Sequence, residues 1–366
     1  MTKFTYRLIL LVSAITIIGV ATIYSCTHNS LSAVERSLYL RQIIWFLLAL
    51  ICLFSASKIS YRKLWDVAYV LYVIGVVFLL LVAFFGLMRL GAQRWIKIFW
   101  FNFQPSELMK LIVVILLSRY FSRPSWTLSR GVKDWGFTQA IIIPFAIISA
   151  PILLILIQPD LGTAVFIFFI FMLMLFAANV NLKFIVFVLS GLLASFPLFW
   201  HFLKDYQRSR LLVFMNPNAD PLGAGYTVIQ SKIALASGGL WGKGWLGGSQ
   251  SQLHFLPESH TDFIFPSFAE EWGFVGSLIL MLLYYVLIRS ILKVAGKASD
   301  KFGYLLASGI GLSFSIQVFI NIAMATGFAP VVGLPLPLLS YGGSSLLVSF
   351  LSLGILINIE NRAVLG

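Results

Sequence analysis

Asn216-Pro-Asn-Ala-Asp-Pro-Leu-Gly-Ala-Gly225 opens the one long polar interval, Asn216 to Phe265, in a chain that is otherwise apolar from end to end. The turn-rich opening gives way to a helix-like run, Tyr226 to Ser237, which breaks at Gly238-Gly239. The interval then crosses Gly242-Lys-Gly-Trp-Leu-Gly-Gly248 and ends in Leu256-Pro-Glu-Ser-His-Thr-Asp-Phe-Ile-Phe265. There Glu258, His260 and Asp262 bring three proton-exchanging groups within five residues. If the chain does chemistry, this is where the residue types for it are concentrated.

The surrounding composition decides the fold class. Hydrophobic residues make up 60% of the 366 and charged residues only 11%, and the mean hydropathy is +0.95, far outside soluble globular usage. The reading is an all-α integral membrane protein. A net charge of +13 would point to nucleic acid in a soluble chain, but basic cytoplasmic loops account for it without such a partner. Cys26 and Cys52 lie in or beside apolar runs and form neither a disulfide framework nor a metal cluster. Met1 to Tyr24 starts basic and turns apolar like a signal peptide, yet no small-residue cleavage site follows, so it reads as a retained first helix.

About ten apolar runs approach the length a helix needs to cross a bilayer: Leu8 to Tyr24, Ile43 to Ala56, Val67 to Phe85, Pro105 to Tyr120, Ala140 to Ile157, Gly162 to Ala178, Phe184 to Phe202, Phe265 to Leu292, Tyr304 to Thr326 and Leu339 to Ile359. Lys3 and Arg7; Lys58, Arg62 and Lys63; Arg119, Arg123, Arg130 and Lys133; and Arg289, Lys293, Lys297 and Lys301 all fall on one side of these runs, the cytoplasmic one by charge bias. An even number of spans puts both termini there. Ser25 to Arg41, Gly86 to Gln104, the reversal at Gln158-Pro-Asp-Leu-Gly162, the polar interval and Gly327 to Pro337 then face outward. With no polar linker between folding units, residues 1–366 read as a single polytopic domain, with 203–264 as a large extracytoplasmic loop.

The outer loops hold the unusual side chains. Glu107 and Lys110, three apart after Pro105, project from one helix face. They are either a capping Glu with a snorkelling Lys or an inward-facing ion pair lining a polar cavity. Arg94 and Trp95 are an interfacial anchor or a contact for a sugar pyrophosphate. Asp160 either caps the next helix or faces the outer cavity. Tyr226, Ile229, Ile233 and Ala236 share a stripe in a helix that fits the interface plane, with Lys232 off it as a solvated charge or an anion contact. Pro330 to Ser344 interrupts two apolar spans, where irregular backbone is tolerated only inside protein or beside water. Ser340, Tyr341 and the following Gly pair therefore either wall a site or pack helices. Glu258, His260 and Asp262 make a weak metal signature, and the chain has no Gly-rich phosphate loop, nucleophile elbow or paired-Cys zinc spacing.

Taken together, these stretches resemble the SEDS family of bacterial cell-wall proteins (shape, elongation, division and sporulation), and its elongation type above its division type. The resemblance rests on Gly91-Ala-Gln-Arg-Trp95, Phe103-Gln-Pro-Ser-Glu107, Gln158-Pro-Asp-Leu-Gly-Thr163, Asp220-Pro-Leu-Gly-Ala-Gly-Tyr226, Gln230-Ser-Lys-Ile-Ala234, His260-Thr-Asp-Phe-Ile-Phe265 and Pro330 to Ser344. It implies about ten spanning helices in the bacterial inner membrane and polymerisation of lipid II, the undecaprenyl-pyrophosphate disaccharide-peptide, into glycan strands. The partners it implies are a class B penicillin-binding transpeptidase and other elongation-machinery membrane proteins. It places Asp262 at the catalytic position and Arg94, Trp95, Glu107, Lys110, Asp160, Lys232, His260, Ser340 and Tyr341 around the substrate. His254 stands where the family usually carries Glu, and Ser259 where elongation-type members often carry Arg. Asp262 lies where polar loop meets apolar run, which suits a general base. The competing roles are ligation of a divalent cation, Mg or Mn, that shields the pyrophosphate, and capping of the eighth helix. A lipid-precursor carrier and a non-enzymatic scaffold are the alternative functions, and polar groups gathered near one face favour the enzyme over the carrier.

Overall fold

The computed structural model describes residues 3–89, 92–98, 101–123, 132, 135–202, 205–223 and 225–365. Gly91, Ala224, Arg130 and Lys133, used above for motifs and orientation, lie outside the described residues, as do 203 and 204 at the start of the predicted loop. The helices are α1 (Lys3–Thr27), α2 (Ala33–Arg36), α3 (Leu38–Lys58), α4 (Arg62–Phe85), α5 (Pro105–Ser122), α6 (Ile143–Ile157), α7 (Leu161–Ala177), α8 (Leu182–Phe202), α9 (Asp205–Met215), α10 (Tyr226–Ser237), α11 (Ser249–Gln252), α12 (Ile264–Lys297), α13 (Lys301–Thr326) and α14 (Gly343–Leu365). Among the described residues, seven stretches are long and apolar enough to cross a membrane: α1, α3, α4, Thr138–Ile157, α12, α13 and most of α14. Helix α7 and part of α8 are shorter apolar helices. Helix α5 has a span's length but carries Glu107, Lys110 and Arg119.

Each predicted apolar run overlaps a helix, with two differences. Leu339 to Gly342 is not helical, and α14 starts at Gly343, because Ser340 and Tyr341 are bonded to another segment. Gly86 to Gln104, read as a loop, contains a three-stranded antiparallel sheet of β1 (Leu87–Arg89), β2 (Ala92–Ile98) and β3 (Phe101–Phe103). Trp95 pairs with Leu87, and Ile96 with Phe103. β-Branched and aromatic residues at these positions favour strand over coil.

The chain forms two compact units. In the unit built from Ala49–Ser195, Arg289–Ile316 and Leu347–Gly366, α5 is the centre, buried on nearly every side from Met109 to Leu117. Small residues let its neighbours close on it. A Cβ at Gly75 of α4 would lie 2.8 Å from the Met109 sulfur, and one at Gly309 of α13 would lie 2.5 Å from Val114. Such contacts hold helices together where lipid supplies no hydrophobic drive.

In the unit built from Met1–Leu48, Phe196–Ile288 and Gln317–Leu346, α12 breaks at Gly273 (φ 66°, ψ −165°). The freed backbone groups are bonded by the glycine-rich stretch 238–244. Phe274 and Val275 donate to the carbonyls of Gly239 and Leu240 at 2.9 and 3.1 Å, while Lys243 and Gly244 donate to those of Glu270 and Glu271 at 3.0 Å each. Glycine is required where these backbones touch: a Cβ on Gly238 would lie 2.2 Å from the Ala269 carbonyl oxygen, and one on Gly242 (φ +81°) 2.1 Å from that of Glu271. The left-handed residue after α10 is thus Gly239 (φ +55°), with Gly238 still right-handed.

Two alanine substitutions separate conformation from contact. Gly242→Ala pays both for left-handed backbone, about 1–3 kcal/mol, and for collision with α12. Gly244→Ala pays only the first, because its φ is +89° with nothing within 4 Å of the added carbon. The purified Gly242→Ala protein should melt well below Gly244→Ala, and equal melting temperatures would contradict the close approach.

Candidate functional site

The sequence-predicted residues fall into two groups, one in each unit. In the α5-centred unit, Asp160 is 2% exposed at the start of α7, where its carboxylate accepts from the Thr163 N–H at 3.3 Å and the Thr163 hydroxyl at 2.9 Å. Arg94 Nη1 lies 3.7 Å from the same carboxylate, and its other terminal nitrogen donates to the Pro159 carbonyl. Asp160 therefore both caps α7 and holds Arg94 against the 158–162 reversal. Trp95 is half-buried on β2.

Glu107 and Lys110 form an ion pair at 2.8 Å, buried at 4% and 6% exposure. Lys110 Nζ also sits 4.9 Å from the centre of the Phe166 ring. Gln104, the residue before α5, makes no side-chain cap, and Glu107 faces inward to its Lys. The inward pair is the arrangement found, and the snorkelling Lys110 is not. Separating so buried a pair leaves one charge uncompensated, which is why both stay oriented.

In the other unit, Asp262 is half-buried, one residue before Phe263 and two before the first residue of α12 at Ile264. It lies outside the cap position, which Phe263 occupies. The backbone around Asp262 is held from three sides. Asn321 of α13, fully buried, donates through Nδ2 to the Asp262 carbonyl at 2.9 Å and to the Leu334 carbonyl at 2.8 Å. The Ser340 hydroxyl donates to the Thr261 carbonyl at 2.6 Å and accepts from the Leu336 N–H at 2.8 Å. The Tyr341 N–H donates to the His260 carbonyl at 2.9 Å. Gly333, at φ +74°, leaves room beside the carboxylate, since a Cβ there would lie 3.4 Å from Asp262 Oδ2.

The non-helical run 327–342 is bonded at several carbonyls. Gln317 donates to the Pro335 carbonyl at 2.8 Å, Tyr284 to that of Pro337 at 2.6 Å, and Gln42 to that of Ser340 at 3.2 Å. This is how irregular backbone persists inside a membrane protein. Ser340 is thus a scaffold for 261–262, its hydroxyl already engaged on both sides. The His260 ring packs against Tyr341 with centroids 6.0 Å apart. Burial lowers the His260 pKa below its ordinary value, against the opposing pull of Glu258 and Glu35, so the imidazole is neutral near pH 7. Lys232 is exposed on α10, its stem against Gly327. The buried face of α10 is Val228, Ser231 and Ala234, with Ser231 donating to the Ala325 carbonyl at 2.5 Å. The Tyr226, Ile229, Ile233 and Ala236 stripe is left half-buried or exposed. Small residues dock this helix closely, and the larger apolar ones face away.

The sequence reading missed Asn321, Glu270 and Glu271. Glu270, fully buried, accepts from Lys243 at 2.6 Å, from Ser249 at 2.9 Å, from Ser237 at 3.1 Å and from the Gln250 N–H at 3.0 Å. Glu271 accepts from Ser25 of α1. Two carboxylates inside the apolar run Phe265 to Leu292 were the available signal, since intramembrane acids need named partners. Among the described residues no group of three or more His, Cys, Asp or Glu side chains is placed to hold a metal ion.

This architecture extends along known proteins over nearly its whole length. The family model described as "Cell cycle protein" and labelled FtsW, RodA and SpoVE matches residues 5–364. The peptidoglycan glycosyltransferase MrdB of Escherichia coli (strain K12) is 40% identical over 356 residues, covering 97% of this chain and 93% of that one. A solved chain from work on the structural coordination of polymerization and crosslinking by a peptidoglycan synthase complex superposes with a TM-score of 0.80 at 32% identity, covering 98% of both chains. The rod shape determining protein RodA of Thermus thermophilus superposes at 0.71 with 27% identity, covering 98% of this chain and 96% of that one. With a match from residue 5 to residue 364 and a relative at 40% identity, the chain belongs to the FtsW, RodA and SpoVE family of cell cycle proteins, the SEDS family its motifs resemble.

Proposed function

We infer that this chain is a peptidoglycan glycosyltransferase that polymerises lipid II into glycan strands at the outer face of the bacterial inner membrane, in the service of elongation and rod shape. The observation that carries the reading is the seat of Asp262: a half-buried carboxylate whose backbone is bonded by Asn321 while its neighbours are bonded by Ser340 and Tyr341. The name of the relative at 40% identity, a peptidoglycan glycosyltransferase, supports it. In the proposed step an acceptor sugar hydroxyl attacks the anomeric carbon of a second lipid-linked sugar. The new C–O bond forms as the bond to pyrophosphate breaks, the proton passes to Asp262, and undecaprenyl pyrophosphate leaves. Arg94, Trp95, Lys232, His260 and Tyr341 are assigned to binding the lipid-linked sugars and their pyrophosphates, with Asp160 holding Arg94, Glu107 and Lys110 as the charge pair of the same unit, and Ser340 positioning the backbone beside Asp262. Guanidinium and ammonium groups meet the phosphates, and aromatic rings meet the sugars.

The proposal includes ten spanning helices in a single domain, both termini in the cytoplasm and residues 203–264 outside, from the charge bias of the short loops. The proposed partner is a class B penicillin-binding transpeptidase whose one spanning helix docks in the bilayer. The solved relative that belongs to a synthase complex joining polymerization to crosslinking supports that choice.

Orientation is checked by Leu253→Cys, at a loop position 61% exposed, in a background lacking Cys26 and Cys52. A membrane-impermeant thiol reagent should label it on intact spheroplasts, and labelling only after the membrane is opened would reverse the topology. The activity is checked by incubating the purified chain, with a transpeptidase partner, with labelled lipid II. A ladder of glycan strands is expected. Unpolymerised lipid II that has merely crossed a vesicle membrane would replace the enzyme with a carrier.

A further inference from the structure

Helices α4 and α13 both begin with a cation where a cation is least welcome. Arg62 opens α4, Lys301 opens α13, and neither helix has an acidic residue in its first turn. The positive end of a helix dipole disfavours such charges and favours an anion. A cavity of about 350 Å³ lies between these two starts and the end of α5, lined by Arg62, Trp65, Asp66, Ser122, Asp300 and Lys301 among others. That volume is in the range of small-molecule sites.

The local bonding shows which charges the cavity offers. Asp300 is engaged: it accepts from the Tyr61 hydroxyl at 2.6 Å, from the Gly303 N–H at 2.7 Å and from Arg62 Nε at 3.4 Å. The wall beside Asp66 is fixed, since Arg119 lies over the Trp65 and Tyr69 rings at 4.4 and 4.2 Å and donates to the Asp66 carbonyl at 3.1 Å. The Lys301 ammonium and the Asp66 carboxylate make no hydrogen bond or ion pair with the described residues. The cavity thus presents a free cation, Lys301, beside the start of α4 and Arg62, which is shared with Asp300, and a free anion, Asp66. Both sit at the ends of long apolar helices, where lipid headgroups lie, beside a tryptophan of the kind that anchors there.

We propose that this cavity binds the headgroup of a zwitterionic phospholipid, with the phosphodiester against Lys301 and Arg62 and a primary ammonium against Asp66. Phosphoethanolamine fits both ends. A glycerol headgroup reaches Asp66 only with neutral hydroxyls and leaves the carboxylate charge uncompensated, and a trimethylammonium headgroup brings no N–H to donate. The site stands on the chain as a membrane protein and does not depend on its catalytic reading.

The test is native mass spectrometry of the detergent-purified full chain with an equimolar mixture of phosphatidylethanolamine, phosphatidylglycerol and phosphatidylcholine. Phosphatidylethanolamine should be retained with about a tenfold preference, as expected for one charge-assisted hydrogen bond. Asp66→Asn should abolish the preference over phosphatidylcholine while still retaining lipid, and Lys301→Gln should weaken retention of all three. Both positions are exposed, so each variant should keep the native melting temperature, which the same preparation reports. Preference for phosphatidylglycerol in the native chain, a preference for phosphatidylethanolamine that survives Asp66→Asn, or no lipid retained above the detergent background would each overturn the proposal.

Discussion

A backbone amide or carbonyl removed from water must be bonded, and in this chain that requirement is most demanding at the break in α12. Gly273 takes a conformation that ends the helical ladder inside a 34-residue element. Four backbone bonds from 239–244 take up the groups on either side. The polar interval is in this way fastened to α12 rather than left as a surface loop. Glu270 extends the fastening by gathering Lys243, Ser249, Ser237 and the Gln250 N–H on one buried carboxylate. Lys243, itself exposed, is the one cation among these donors, and without it the buried carboxylate would keep only the neutral Ser249, Ser237 and Gln250 donors. Glu271 adds a tie to Ser25, so α1 is fixed to the same place.

The proposed chemistry follows from this fastening. Asp262 lies between a loop anchored to α12 at one end and the helix itself at the other, and Asn321 and Ser340 hold the backbone at 261–262. Precise placement matters because a general base works only within hydrogen-bond reach of the proton it takes. These anchors act on main-chain atoms and fix where the carboxylate starts. In the other unit the same economy appears with charges: Asp160 serves as cap and as ion-pair partner, and Glu107 and Lys110 satisfy each other inside an otherwise apolar helix bundle.

Much of this was legible in the sequence, and the physical reasons for the rest are specific. Helix α10 was predicted at Tyr226 to Ser237 and runs over those residues, because an apolar periodicity bounded by a glycine pair is a local signal. Its apolar stripe, Tyr226, Ile229, Ile233 and Ala236, is left half-buried or exposed, and Val228, Ser231 and Ala234 form the buried side, a division that only the packing of its neighbours reveals. The sheet at 87–103 was missed since three short strands carry little periodicity of their own. Asn321 was invisible for a different reason: a single amide inside an apolar helix has meaning only when the carbonyls it bridges, at 262 and 334, are known to converge. The Glu107 and Lys110 pair lay at helical spacing, and only burial could choose between the two readings given for it.

The central claim, that one carboxylate held by its backbone performs the glycosyl transfer, is tested most directly by Asp262→Asn. The substitution keeps shape and leaves the bonds to the 260–262 carbonyls in place, while removing charge and basicity. Its rate of glycan formation from lipid II, measured beside the native chain at matched melting temperature and matched partner binding, should fall by about 10²–10⁴-fold, the range general-base catalysis supplies. Polymerisation by the variant at a rate near the native one would contradict the account.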